Sequence, residues 1–198
     1  MQEIVPGLLR WTERHPNLGV DVSSHLVLGS GTLIDPLLPG NGVDALGGRE
    51  VNRVVLSCRH HLRDAAAVAE RFGCPILVHE AGLHEFEGGP AVEGFAFGDR
   101  LADDVVALEM DAIAPDDTVL RIESGGGALL FADAVINYGG IGFVPDDLIG
   151  DDPERVKDQV RARARALLSE TFEHLLFAHG DPRLGDGREA LQRFADGG

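Results

Sequence analysis

The 198-residue chain is 44% hydrophobic and 25% charged, the balance of a folded globular protein and not of a disordered one. Its 17 basic and 33 acidic residues leave a formal charge of −16, which speaks against nucleic acid and anionic membranes as partners. Met1–Arg10 lacks the basic-then-apolar pattern of a leader and no apolar run approaches the ~18 residues of a membrane span, so a cytoplasmic protein is expected, with Cys58 and Cys74 as free thiols.

In chain order, Val20–Leu28 reads as a strand and Thr32–Asp35 as its hairpin partner across Gly29-Ser30-Gly31. Val54-Val55-Leu56 is short enough for a buried strand. The polar loop Cys58–Arg63 follows, then a helix Ala65–Phe72 with Asp64 as cap and Gly73 as stop. Pro75–Val78 reads as a strand and Glu80–Phe86 as a short helix. Val105–Met110, Thr118–Ile122 and Ala128–Ala132 form a β-rich middle, the last two joined by a turn at Ser124–Gly127. Asp152-Pro153 opens a helix to about Ser169, His174–Ala178 is a final strand, and Arg188–Phe194 is a final helix. Residues 1–198 are expected to form one domain, with the glycine-rich Tyr138–Phe143 as a surface loop.

Three apolar strands run directly into polar clusters. Val54-Val55-Leu56 leads to Cys58, His60, His61 and Asp64; Leu129–Ala132 leads to Asp133; Leu175–Ala178 leads to His179. Layered α/β proteins place their sites at such strand ends, and imidazole with carboxylate or thiolate is the usual metal-ligand chemistry.

The order of these landmarks resembles the metallo-β-lactamase superfamily over nearly the whole chain. Val5–Arg10, Ser24–Val27 and Leu33–Pro36 look like its first β-hairpin layer; Arg53–Ser57 looks like the strand before its T-H-x-H-x-D-H metal loop. Phe97–Leu101 resembles its G-D-x-L hairpin, Phe131–Ala134 the strand end bearing the metal-bridging aspartate, and Phe177–Gly180 the terminal histidine segment. The resemblance implies a four-layer αββα sandwich of two mixed sheets flanked by helices, and a hydrolase ancestry in which metal activates water against ester, thioester, amide or phosphodiester centres.

The metal loop departs from that pattern. Cys58 falls at the first histidine, His60 at the second, Leu62 at the aspartate and Arg63 at the third histidine; Ile113 takes the place of a further histidine. Arginine cannot ligate a metal. The resemblance therefore implies no cofactor or a single zinc, with Cys58, His60 and Asp133 as its ligands, and Arg63 or His60 bonded to Asp133 when metal is absent. The pocket is expected from Cys58, His60, His61, Arg63, Asp64, Asp133 and His179. Two functions are open: an inactive hydrolase homologue that binds a small molecule, or a divergent mononuclear or metal-free hydrolase of an ester- or thioester-like compound.

Overall fold

The computed structural model describes residues 1–197. Seven strands form the first sheet in sequence order: β1 (Gln2–Val5), β2 (Leu8–Arg14), β3 (Asp21–Val27), β4 (Thr32–Ile34), β5 (Arg53–Val55), β6 (Ile76–His79) and β7 (Glu93–Phe95). The pairings are antiparallel as far as β4 and parallel from β4 to β7. The second sheet begins with β8 (Arg100–Ala102), β9 (Val105–Glu109), β10 (Thr118–Ile122) and β11 (Ala128–Phe131). After a small ribbon of β12 (Ile136–Asn137) and β13 (Ile141–Gly142), β14 (His174–Phe177) joins it parallel to β11, giving the order β14-β11-β10-β9-β8.

Alternation along these strands divides the apolar residues among three layers of core. Leu120, Ile122, Leu130 and Leu176 of the second sheet meet Leu8, Val27, Ile34 and Val55 of the first, and this is the interior between the sheets. The opposite faces pack outward. Leu33, Val54, Leu56 and Val78 meet Ala65 and Val68 of helix α1 (Ala65–Phe72). Val119, Leu129, Phe131 and Phe177 meet Val156, Val160 and Leu191 of helices α2 (Pro153–Leu167) and α3 (Gly187–Ala195). The result is the expected αββα sandwich of two mixed sheets.

The helix ends follow the expected chemistry with one exception. Gly73 closes α1 in the left-handed region, and Asp152 caps α2 by accepting from the Arg155 N–H at 3.3 Å. Asp64 stands at the cap position of α1, but its Oδ2 accepts instead from Leu38 N–H at 2.7 Å, tying the helix start to the loop after β4. The Tyr138–Phe143 segment, expected as a plain surface loop, carries the turn and second strand of the β12–β13 ribbon, and Tyr138 Oη donates to Asp21 O at 2.9 Å. Both cysteines are free, and no helix among the described residues is long and apolar enough to cross a membrane.

Candidate metal centre

Four strand ends converge at one edge of the sandwich. From the first sheet, β4 delivers Asp35 and β5 delivers Ser57, Cys58 and a 3-10 turn, Arg59–His61. From the second, β11 delivers Asp133 and β14 delivers His179. The 3-10 turn decides which histidine faces inward. With three residues per turn, Cys58 and His61 share a face, and the His61 N–H bonds Cys58 O at 3.1 Å. His61 is buried and His60 is exposed. The expectation that His60 ligates metal or bonds Asp133 is therefore corrected: His60 points to solvent, and His61 stands beside Asp133 and Cys58 because the loop closes in a tight turn.

Asp133 is the hub. Its Oδ1 lies 3.2 Å from His61 Nε2 and 2.9 Å from His179 Nε2, and its Oδ2 accepts from the Cys58 thiol at 3.4 Å. On the other side of the His61 ring, Nδ1 lies 3.0 Å from Asp35 Oδ2, which also accepts from Ser57 Oγ at 2.5 Å; Ser57 N–H donates to Asp35 Oδ1 at 2.8 Å. Burial alone would raise both carboxyl groups. The facing His61, with Arg63 and Ser57, holds Asp35 below its ordinary value, and His61 with His179 holds Asp133 well below. Burial disfavours charge on His61 as well, but the Asp35 and Asp133 carboxylates on either side of the ring hold it well above its ordinary value. The Cys58 thiol is pushed up to about 12, chiefly by burial.

Arg63 was expected at Asp133 and is found elsewhere. It adopts a left-handed backbone (φ 41°), a strained state for a residue with a Cβ. Its Nη1 donates to Ser23 O at 3.0 Å and Asp35 O at 2.8 Å, and it forms no ion pair within 4.0 Å among the described residues. Asp64, also expected in the pocket, is spent on Leu38 as above. The structure thus brings together Cys58, His61, Asp133 and His179, sets Arg63 beside them, and leaves His60 and Asp64 out.

Sequence reasoning missed three participants. Asp35 was read only as a strand end. Asp116 is fully buried and accepts from both Arg59 N–H and Arg59 Nη1 at 2.6 Å, clamping the metal loop to the segment before β10; Thr118 N–H reinforces this by bonding Ser57 O at 2.9 Å. Asp117, also buried, makes no well-formed hydrogen bond on either oxygen, and the Ala134 N–H gives it only weak support; burial first, then Asp133, raises it well above its ordinary value. A doubled aspartate directly before a strand was the one available signal. Ile113, at the position of the missing histidine, packs into the core beside α2.

No family model matches the sequence, and no curated protein matches it. Solved structures do. The chain is similar to the DIM-1 metallo-β-lactamase exposed to ceftazidime, at 16% identity over 99% of this chain and 95% of that one, with a TM-score of 0.72. It is similar to a metallo-β-lactamase family protein from Thermus thermophilus, at 16% identity over 96% and 79% of the two chains, TM-score 0.68. A variant flavo di-iron protein from Thermotoga maritima matches at 20% identity over 94% of this chain and 57% of its own, TM-score 0.63. The chain has the metallo-β-lactamase fold.

The donors present fit one metal ion. One ligand atom each of Cys58, His61 and Asp133 lies within 4.8 Å of the others, a three-residue set of the kind that holds a zinc with an open position. The Asp35 carboxylate on His61 Nδ1 is the outer contact that commonly fixes a ligating imidazole and leaves Nε2 for the metal. Leu62 brings no donor atom, and the Arg63 cation stands near Asp35, Cys58 and Asp133.

Proposed function

We propose that this chain is a divergent member of the metallo-β-lactamase superfamily whose centre is reduced to at most one ion, and that it acts in the cytoplasm as a small-molecule-binding homologue of the hydrolases, without their dinuclear chemistry. The observation that carries this reading is the substitution of Leu62 and the anchored, unpaired Arg63 guanidinium for donors to a second metal. The chain's own residues then do three things. Asp35 holds the tautomer and orientation of His61, Asp133 joins His61 to His179 across the two sheets, and Arg63 supplies a fixed positive charge in place of an ion. A zinc bound by Cys58, His61 and Asp133 would supply Lewis acidity toward a carbonyl or phosphoryl oxygen.

A second reading, a mononuclear hydrolase of an ester- or thioester-like compound, is favoured by the Asp35–His61 pair, which is the support a catalytic ligand requires. Elemental analysis of protein purified without chelator, with a screen of ester and thioester substrates, tests both. The expected result is zero or one equivalent of divalent metal and no turnover. Turnover that tracks one bound ion selects the second reading. Two stoichiometric ions held through Asp133 and His179 overturn both. Arg63→His alone leaves the count at one or below, because Leu62 still supplies no ligand.

A further inference from the structure

Two arginines beside the centre are half-buried, and neither meets a buried carboxylate within 4.0 Å among the described residues. Arg10, on β2, is 14% exposed; its Nη2 donates to Ser23 Oγ at 3.0 Å and Gly180 O at 2.8 Å, and its Nε is buried with no acceptor. Its nearest carboxylate, Asp181, stands 3.7 Å away and is 87% exposed, so that pair is solvent-screened and worth little. Arg63 is held by Ser23 O and Asp35 O through Nη1 alone, which leaves Nε and Nη2 without a protein acceptor among the described residues. Both guanidinium groups converge on one residue, Ser23, one on its hydroxyl and one on its carbonyl.

The carboxylates that might neutralise them are already engaged. Asp35 serves His61 and Ser57; Asp133 serves His61, His179 and Cys58. Two half-buried cations, one of them with a buried Nε that meets no acceptor, sit in a protein whose overall charge is −16. Neither can shed its charge, since arginine stays protonated. Burying such groups is costly unless something anionic completes them, and the fork of a guanidinium matches the paired oxygens of a carboxylate or phosphate.

We infer that Arg10 and Arg63 form an oxyanion-binding subsite, so that the small molecule bound at this centre carries a carboxylate or phosphate group. This rests on the ligand-binding reading above and narrows its chemistry. Ser23 is its hinge point, orienting both side chains from one strand, and the exposed Tyr138, tied to Asp21 at the start of that strand, flanks it.

The test is titration of the full-length protein with inorganic phosphate, succinate and neutral acetamide, followed by calorimetry and by the arginine Nε–H resonances. Phosphate or succinate is expected to bind and to shift the Nε–H signals of the wild type, while acetamide does neither. Preference for phosphate over succinate names a phosphorylated ligand, and the reverse names a carboxylate. Arg63→Met should weaken binding about tenfold or more, from the loss of a charge-assisted hydrogen bond. Arg63→Lys should restore only part of it, and Arg155→Met, on the exposed face of α2, should leave binding unchanged. Anion binding untouched by Arg63→Met overturns the inference, as does a wild-type protein that binds neither anion and whose Nε–H signals do not move. The wild-type resonances decide the matter even where a variant folds poorly. A count of two metal ions would instead refute the one-ion reading, so the two failures are separable.

Discussion

Asp117→Asn should make the metal-free protein more stable, and more so as the pH rises. The native carboxyl is 1% exposed, and neither oxygen makes a well-formed hydrogen bond. A buried polar group without partners costs about 1–3 kcal/mol. Asparagine keeps the shape and removes the ionisable proton but brings an amide that also needs partners, so the expected gain at pH 8 is near the lower end, about 1 kcal/mol, or about 2–4 °C in Tm for a chain of this size. The sign follows from proton counting. The folded carboxyl holds its proton well above the ordinary range, because of burial and then of Asp133, whereas the unfolded one releases it near pH 3.9. Between those two values the unfolded state binds fewer protons, so wild-type stability falls as pH rises through the window. The asparagine variant has no such linkage, and the gap between the proteins should close below about pH 4. Urea denaturation of chelator-treated protein at several pH values measures it. A stability difference that does not vary with pH, or a loss of stability at pH 8, would refute the reasoning and show that the carboxylate is ionised and bound in the native state.

Two further outcomes bear on the centre. His60→Ala should leave zinc uptake unchanged and stability within about 0.5 kcal/mol, whereas His61→Ala should abolish zinc uptake and cost about 3–5 kcal/mol by stranding Asp35 and Asp133; equal effects in metal titration and denaturation would reverse the assignment. Gly180→Ala should cost at least about 3 kcal/mol, read as a lowered Tm, because the added methyl would lie 2.1 Å from Asn137 O at a φ of 105°. A near-native Tm for that variant would mean that the His179 turn is looser than the structure has it.

The layering was legible because it depends on alternation and short apolar runs, which the sequence displays directly. The same runs located Cys58, Asp133 and His179, each of which follows a strand end. What failed was the register of the metal loop. A motif spacing counts residues, but the face a residue presents depends on backbone twist, and one 3-10 turn exchanged His60 for His61. Asp64 read correctly as a helix-cap position, but its carboxylate found a distant N–H that no local pattern reveals. β7 and the β12–β13 pair were missed because two or three residues carry no period and, unlike the equally short β4 and β5, they hold no apolar run. Asp117 and Arg10 were invisible for a different reason: what marks them is a buried polar atom without a hydrogen-bond partner, a property of packing alone.

The Asp35–His61–Asp133–His179 chain is a polar rivet through the sandwich, since its first two members hang from one sheet and its last two from the other. Whatever occupies this spot, proton, ion or ligand, is felt by both halves at once. Its binding energy is therefore added to the cohesion of the whole molecule, and loss of the occupant loosens a seam rather than a loop. A protein assembled in this way can give up chemistry at its centre and still need the centre in order to stay shut.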